Sequence, residues 1–403
     1  MTLTFLLWFT FFHIVASSRL PADSSWSPNI RVNDDPGTAR QWLPAIAVDG
    51  SGNAYAIWQD ERSGEWMMDV YFAHRPASEQ WGSNKKVNDD AGTAWQLAPA
   101  IAVDAFGNAY AVWADSRNGD LDIYFAYRPL GGSWGPNEKV NDDGGRAHQE
   151  WPDIAVDGYG NACAVWVDRR HDNKDIYRAC RPAGGSWGPN ERVNDDSRGA
   201  EQDRPAIAMN ASGQVCVVWM DRRNGDPDIY SACNWGPNEK VNDDSGVADQ
   251  DWPDIAVDGF GNAYAIWVDG RNGDEDIFFA HRPAGGSWGP SKEVDDDSGT
   301  AVQETPVIAV DVFGNACAVW MDRRHGDQDI YFARRPVGKD WERNERVNDD
   351  SGVADQDWPA IAVDGSGNAY AVWVDRRRGD EDIFFAYRRA GVYLHLPLIL
   401  RNF

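Results

Sequence analysis

Residues 108–126 read Asn-Ala-Tyr-Ala-Val-Trp-Ala-Asp-Ser-Arg-Asn-Gly-Asp-Leu-Asp-Ile-Tyr-Phe-Ala. Two runs rich in aromatic and β-branched residues, Asn108–Trp113 and Asp122–Ala126, flank a polar Asp-x-Arg-Asn-Gly loop, and this pattern predicts a β-hairpin. Outward from the hairpin, each copy is preceded by Pro-x-Ile-Ala-Val-Asp and a Gly-Asn turn, as at Pro152–Asp157, and followed by Glu-Lys-Val, as at Glu138–Val140. The unit recurs along the chain. Val-Asn-Asp-Asp begins at Val32, Val87, Val140, Val193, Val241 and Val347, with Val-Asp-Asp-Asp at Val294, at spacings of 55, 53, 53, 48, 53 and 53 residues.

No part of the unit carries a sustained helical period. Four short strands per ~50 residues, repeated seven times, predict an all-β, seven-bladed β-propeller of four-stranded blades. The chain enters on a fourth strand (Asn29–Val32) and leaves on a third (Asp382–Ala386). The N-terminal strand is therefore expected to complete the last blade and close the ring, which pairs an edge that would otherwise stay open.

The 403 residues hold 38 Lys plus Arg against 64 Asp plus Glu, a net charge of −26. Such a surface repels phosphate backbones, so no nucleic-acid partner is expected. Residues 1–18 read as a signal peptide: Phe5–Val15 is apolar apart from Thr10 and His13, and Ala16 and Ser18 are small, although no basic residue follows Met1 in this stretch. The propeller is expected over residues 19–391. Residues 392–403 form a hydrophobic tail, too short to span a membrane, and no other stretch reaches that length. The expectation is a monomer, secreted or at the cell surface.

Four of the five cysteines follow the repeat. Cys163 with Cys180, and Cys216 with Cys233, are each 17 residues apart and symmetric about the hairpin loop. Other units hold Tyr110 with Tyr127, or Tyr264 with His281, at these cross-strand places. In a secreted protein both thiol pairs are expected to be disulfides. Cys317 faces Arg334 and has no thiol partner.

The link Arg181–Glu191, Arg-Pro-Ala-Gly-Gly-Ser-Trp-Gly-Pro-Asn-Glu, resembles a degenerate Asp-box, the Ser-x-Asp-x-Gly-x-Thr-Trp turn of sialidase-like (BNR) β-propellers. Gly185 and Trp187 match that turn, while Ala183 stands where the box has Asp and the link is one residue short. The Trp-x-Asp-x-Arg-Asn-Gly-Asp-x-Asp-Ile-Tyr segment is also similar to repeats of secreted bacterial members of that superfamily. The resemblance implies the propeller fold. Sialidases themselves are six-bladed and use an arginine triad, a Tyr–Glu nucleophile pair and an Asp acid/base. No Arg-Ile-Pro motif occurs here, and no arginine or tyrosine reads as unique to one unit, whereas catalysis needs an asymmetric constellation.

Alternating strand directions place the hairpin loops and the inter-unit links on one face. There each unit sets an Asp two residues before an Arg: Asp60/Arg62, Asp115/Arg117, Asp168/Arg170, Asp221/Arg223, Asp269/Arg271, Asp322/Arg324 and Asp375/Arg377. Such a pair can brace its own loop or meet a ligand. Trp151, Trp252 and Trp358, just before a first strand on the same face, can stack on a sugar or pack over the channel mouth. Asp226 with Asp228, and Asp274 with Asp276, raise a calcium reading, but they lack the interleaved Asp-x-Asp-x-Asp-Gly loop, so no metal or other cofactor is assigned. Asn242, Asp243 and Asp244 are expected to cap turns.

From sequence the reading is a non-catalytic propeller that binds a glycan or surface protein multivalently, with no catalytic residue. An exo-sialidase-type glycoside hydrolase, with unit one and its insertion at Glu65 and Trp66 as the place to look, and a protein-interaction scaffold are the alternatives.

Overall fold

A computed structural model describes residues 25–64, 67–196 and 199–390. The expected signal peptide, the C-terminal tail, and Glu65 and Trp66 lie outside these residues. The described chain forms seven four-stranded antiparallel sheets, each built from strands consecutive in sequence except the last. In blade one these are the inner strand Gln41–Val48, the second strand Ala54–Asp60, the third strand Asp69–Arg75 and the outer strand Lys85–Lys86. The later blades repeat this order, as the sequence predicts.

Two boundaries differ from the sequence reading, each for a physical reason. Inner strands begin three residues before the proline, at Gln41, Gln96, Gln149, Gln202, Gln250, Gln303 and Gln356, because these glutamines are fully buried at the joint between blades. Proline is tolerated three positions later because the inner strand is a sheet edge and the register shifts there, as between Glu150 and Asp153. Outer strands pair over two residues only.

The core lies between blades. The second strand is buried on both faces in every blade, and its tryptophans, Trp58, Trp113, Trp166, Trp219, Trp267, Trp320 and Trp373, have no solvent exposure. Trp113 of blade two packs with Tyr55, Ile57, Val70 and Phe72 of blade one, and the same layering runs around the ring. A second set of tryptophans reaches back from the link before each outer strand. Trp134 meets Phe72 edge-on at 5.2 Å, Trp187 meets Phe125 at 5.2 Å, and Trp26 meets Phe332 at 5.1 Å.

Both expected disulfides are formed, Cys163–Cys180 and Cys216–Cys233, with Cα–Cα distances of 4.0 Å across directly opposed strand positions. Cys317 lies opposite Arg334, buried and unbridged, and burial pushes its thiol up to about 12. Ring closure is also as read: Ile30–Arg31 pairs with Asp382–Arg388 and supplies the outer strand of blade seven.

Candidate functional site

The Asp-x-Arg pairs sit where the second strand ends, and they are held tightly. In blade three, Asp168 is fully buried; one carboxylate oxygen accepts the Arg170 backbone N–H at 2.9 Å and Nε at 3.0 Å. The other accepts Trp166 Nε1 at 3.0 Å and an Arg170 terminal nitrogen at 2.8 Å. Arg170 also donates to Asp142 at 3.0 Å and Asn190 at 3.0 Å, and lies over the Tyr177 ring at 4.3 Å. Asp60, Asp115, Asp221, Asp269, Asp322 and Asp375 ion-pair with Arg62, Arg117, Arg223, Arg271, Arg324 and Arg377 at the same places, although Nε of Arg117 and of Arg223 has no partner among the described residues. Each arginine thereby ties the end of a second strand to the inter-blade link before it, and the seven pairs stay spread around the ring.

Asn242, Asp243 and Asp244 do more than cap a turn. The Asn242 amide donates to Asp228 at 3.0 Å, Asp244 at 2.6 Å and Gln250 at 2.7 Å, and accepts the Ile229 N–H at 2.9 Å. Asp243 takes Arg271. The inter-unit link is a polar joint between adjacent blades.

The tryptophans behave differently. At the register shift of each inner strand, the residue before proline adopts a left-handed backbone: Leu43 (φ 46°), Ala98 (48°), Trp151 (51°), Arg204 (52°), Trp252 (49°), Thr305 (51°) and Trp358 (50°). This conformation is strained for a non-glycine residue and doubly so before proline. It turns the side chain off the blade toward the ring axis. Trp151, Trp252 and Trp358 come from alternate blades, three, five and seven, yet they meet. The Trp151 and Trp252 rings are 6.1 Å apart and Trp252 and Trp358 are 5.3 Å apart, both edge to face. Arg204 from blade four lies over Trp252 at 3.6 Å and ion-pairs with Asp251.

Beside this cluster lies an open depression of about 210 Å³, lined by Leu43, Ala98, Trp151, Trp358 and the prolines that follow them. The three tryptophans picked from sequence thus converge at the channel mouth, each part exposed. Arg204 escaped the sequence reading: it is an arginine that no other unit carries at this place, and the expectation that none is unique is corrected. The signal was the x-Pro position itself, which varies as Leu, Ala, Trp, Arg, Trp, Thr, Trp between a glutamine two residues before it and a proline after it that every unit keeps.

Asymmetry continues one residue past the proline. Asp153 and Asp254 stand where the other blades have Ala45, Ala100, Ala206, Val307 and Ala360. Asp153 accepts the Ile207 N–H of the next blade at 2.8 Å, and Asp254 accepts that of Ile308 at 2.7 Å. Burial pushes their carboxyls up to about 6 and about 7, the backbone donors only partly offsetting it, and Asp153 adds to the rise at Asp254. Both therefore bind a proton more tightly folded than unfolded, where an Asp titrates near ~3.9. The stabilisation is complete below that value and is lost as pH rises through 6 and 7. The melting temperature is expected to fall by several degrees between pH 5 and pH 8, and the fall should shrink in an Asp153→Asn/Asp254→Asn variant. A flat profile in the parent protein, followed by calorimetry, is the contrary result.

No protein-family model matches the sequence, and no curated protein is similar to it. Solved structures do share the fold. A polysaccharide lyase of family PL25, an ulvan lyase, aligns with a TM-score of 0.61 at 11% identity, over 90% of this chain and 96% of that one. The BP39L lectin of Burkholderia pseudomallei aligns at 0.60 and 10% identity, over 88% and 98%. An α-L-arabinanase of Penicillium chrysogenum, complexed with arabinobiose, aligns at 0.52 and 13% identity, over 91% and 98%. At these identities the likeness is one of architecture, over about nine-tenths of this chain.

Proposed function

We propose that the protein is a non-catalytic carbohydrate-binding propeller whose ligand seats on the ring axis, at the face that carries the Asp/Arg pairs. The observation that carries this reading is the part-exposed cluster of Trp151, Trp252 and Trp358, with Arg204 and Asp251 beside it, at the edge of the axial depression. Indole faces stack on the apolar faces of pyranose rings, and a neighbouring guanidinium and carboxylate supply hydrogen bonds for hydroxyls. Holding these side chains in a strained backbone fits a site whose geometry the ring imposes. The structural neighbours support the reading, since they include a lectin, a polysaccharide lyase and an arabinanase. The resemblance to sialidase-like propellers points to the same class of ligand.

In this reading the seven Asp/Arg pairs frame the face rather than contact the ligand, because their polar atoms are committed to one another. Binding is then centred on one axial site instead of seven equal ones. A glycan array on the full chain is the test. Trp252→Ala is expected to lower affinity for the retained glycans by about 10- to 100-fold, the range for losing one buried aromatic contact, with an unchanged circular dichroism spectrum. Unchanged binding in that variant would move the ligand off the axis, and a blank array with the parent protein would leave a protein-binding scaffold.

One observation favours a second reading, a glycoside hydrolase. Asp153 and Asp254 form an unequal carboxyl pair on the inner strands, poised near neutrality. Release of terminal sugar from array spots, abolished by Asp153→Asn, would be its mark.

A further inference from the structure

Six of the seven blades solve one electrostatic problem in one way. The first residue of each third strand is a buried or nearly buried aspartate, and two donors converge on it. One is the amide of the Asn in Val-Asn-Asp-Asp: Asn88 donates to Asp69 at 2.8 Å and Asn141 to Asp122 at 2.9 Å, with Asn194, Asn242, Asn348 and Asn33 on Asp175, Asp228, Asp329 and Asp382. The same amide nitrogen also donates to the buried glutamine of the next inner strand, as Asn88 does to Gln96 at 3.0 Å. The other donor is a cationic side chain from the outer strand: Lys86, Lys139 and Lys240 at 2.6 Å, or Arg31, Arg192 and Arg346 at 3.1 to 3.4 Å.

Blade five lacks both. Glu293 stands at the cation's place and Asp295 at the asparagine's. Asp295 keeps the asparagine's acceptor role, taking the Ile277 N–H at 2.8 Å. Its second carboxylate oxygen, where the amide nitrogen would be, is buried and has no hydrogen-bond partner. Gln303, fully buried on the next inner strand, has lost its donor, and both its side-chain oxygen and nitrogen are unpartnered. Lys292, one residue early, reaches away to Asp340. One carboxylate oxygen from each of Asp276, Glu293 and Asp295 lies within 4.8 Å of the others.

We propose that blade five carries a calcium site, in which a bound cation replaces the lysine and asparagine donors of the other blades and is held by Asp276, Glu293, Asp295 and the Gln303 side-chain oxygen. The donor set is all oxygen and carries three carboxylates, which suits a hard cation that takes six to eight oxygen ligands in flexible geometry. An open depression of about 280 Å³ is lined in part by Glu293 and Asp295.

This site is separate from the axial cluster and stands whether or not carbohydrate binds there. The test compares the chelator-treated full chain with a Glu293→Lys/Asp295→Asn variant, which restores the donors of the other blades. At pH 7.5 the parent protein is expected to bind one calcium ion by calorimetric titration and to gain about 4 °C or more in melting temperature at a hundredfold excess over Kd. Terbium luminescence should report the same site and be quenched by calcium. The variant should melt at or above the calcium-bound parent with or without calcium, and bind neither ion at this place. A parent protein indifferent to calcium and terbium overturns the proposal, and so does a calcium response of the same size in the variant.

Discussion

A chain lacking Ser25–Asn33 is expected to fail as a folded monomer. That segment closes the ring at several points at once. Val32 N–H donates to the Ile383 carbonyl at 2.8 Å, and Ser27 N–H to that of Tyr387 at 2.8 Å. Asn33 donates to Gln41 at 2.7 Å and to Asp382 at 2.8 Å, so it joins blade seven to blade one. Asn29 exchanges backbone and side-chain bonds with Asp349 and accepts from Arg377 at 2.8 Å. Trp26 fills the inter-blade layer against Phe332, and Val32 is buried. Several buried hydrogen bonds at about 1 kcal/mol each and two large apolar side chains at about 2 kcal/mol each approach the whole 5–15 kcal/mol that keeps a domain folded. The deletion also bares the Asp382–Arg388 edge, a template for pairing with another chain. Light scattering after size exclusion should show oligomer or aggregate, with the melting transition lost or lowered by more than 15 °C. A synthetic peptide of residues 25–33 should restore part of it. A monomer with an unchanged transition would mean that the inter-blade layers alone hold the ring.

The phase of the repeat made that closure readable in advance, because period and strand order need only the order of residue types. The cysteine pairs were readable for the same reason: opposed positions on a hairpin are a matter of counting. The axial site was only half legible. Trp151, Trp252 and Trp358 stood out as irregular tryptophans, but their meeting depends on a left-handed turn before proline, which local propensity argues against. Arg204 and the two inner-strand aspartates were hidden by their neighbours, since a unit that is otherwise uniform invites averaging over its variable positions. Lys-Glu-Val-Asp-Asp-Asp at residues 292–297 differs from Glu-Lys-Val-Asn-Asp-Asp at 138–143 by an exchange of two residues and one Asn-to-Asp change. It carries little meaning until the structure shows that Asn141 donates three hydrogen bonds and Lys139 a charge.

Replacing Asp168 by Ala is expected to destabilise the protein by about 3–5 kcal/mol, the cost of breaking a buried ion pair from one side. The carboxylate is fully buried and takes four bonds, so its loss leaves the buried Trp166 Nε1 without its acceptor and the part-buried Arg170 guanidinium with Asp142 and Asn190 alone. Arg170→Ala should cost a comparable amount, because it leaves the charge of Asp168 buried with Trp166 as its remaining side-chain donor. The double variant should cost less than the two together, with a coupling of about 1–3 kcal/mol, since neither residue then waits for the other. Asp168→Asn, which keeps acceptor and volume, should fall between. Denaturant unfolding of the four proteins measures all of this, and glycan binding measured beside it separates the two roles the pair could have. If the pair braces the frame, the Asn variant binds carbohydrate like the parent below its melting temperature, while Trp252→Ala does not. If the seven pairs contact ligand directly, Asp168→Asn would weaken binding with little loss of stability, and the axial site would lose its claim to be the one that matters.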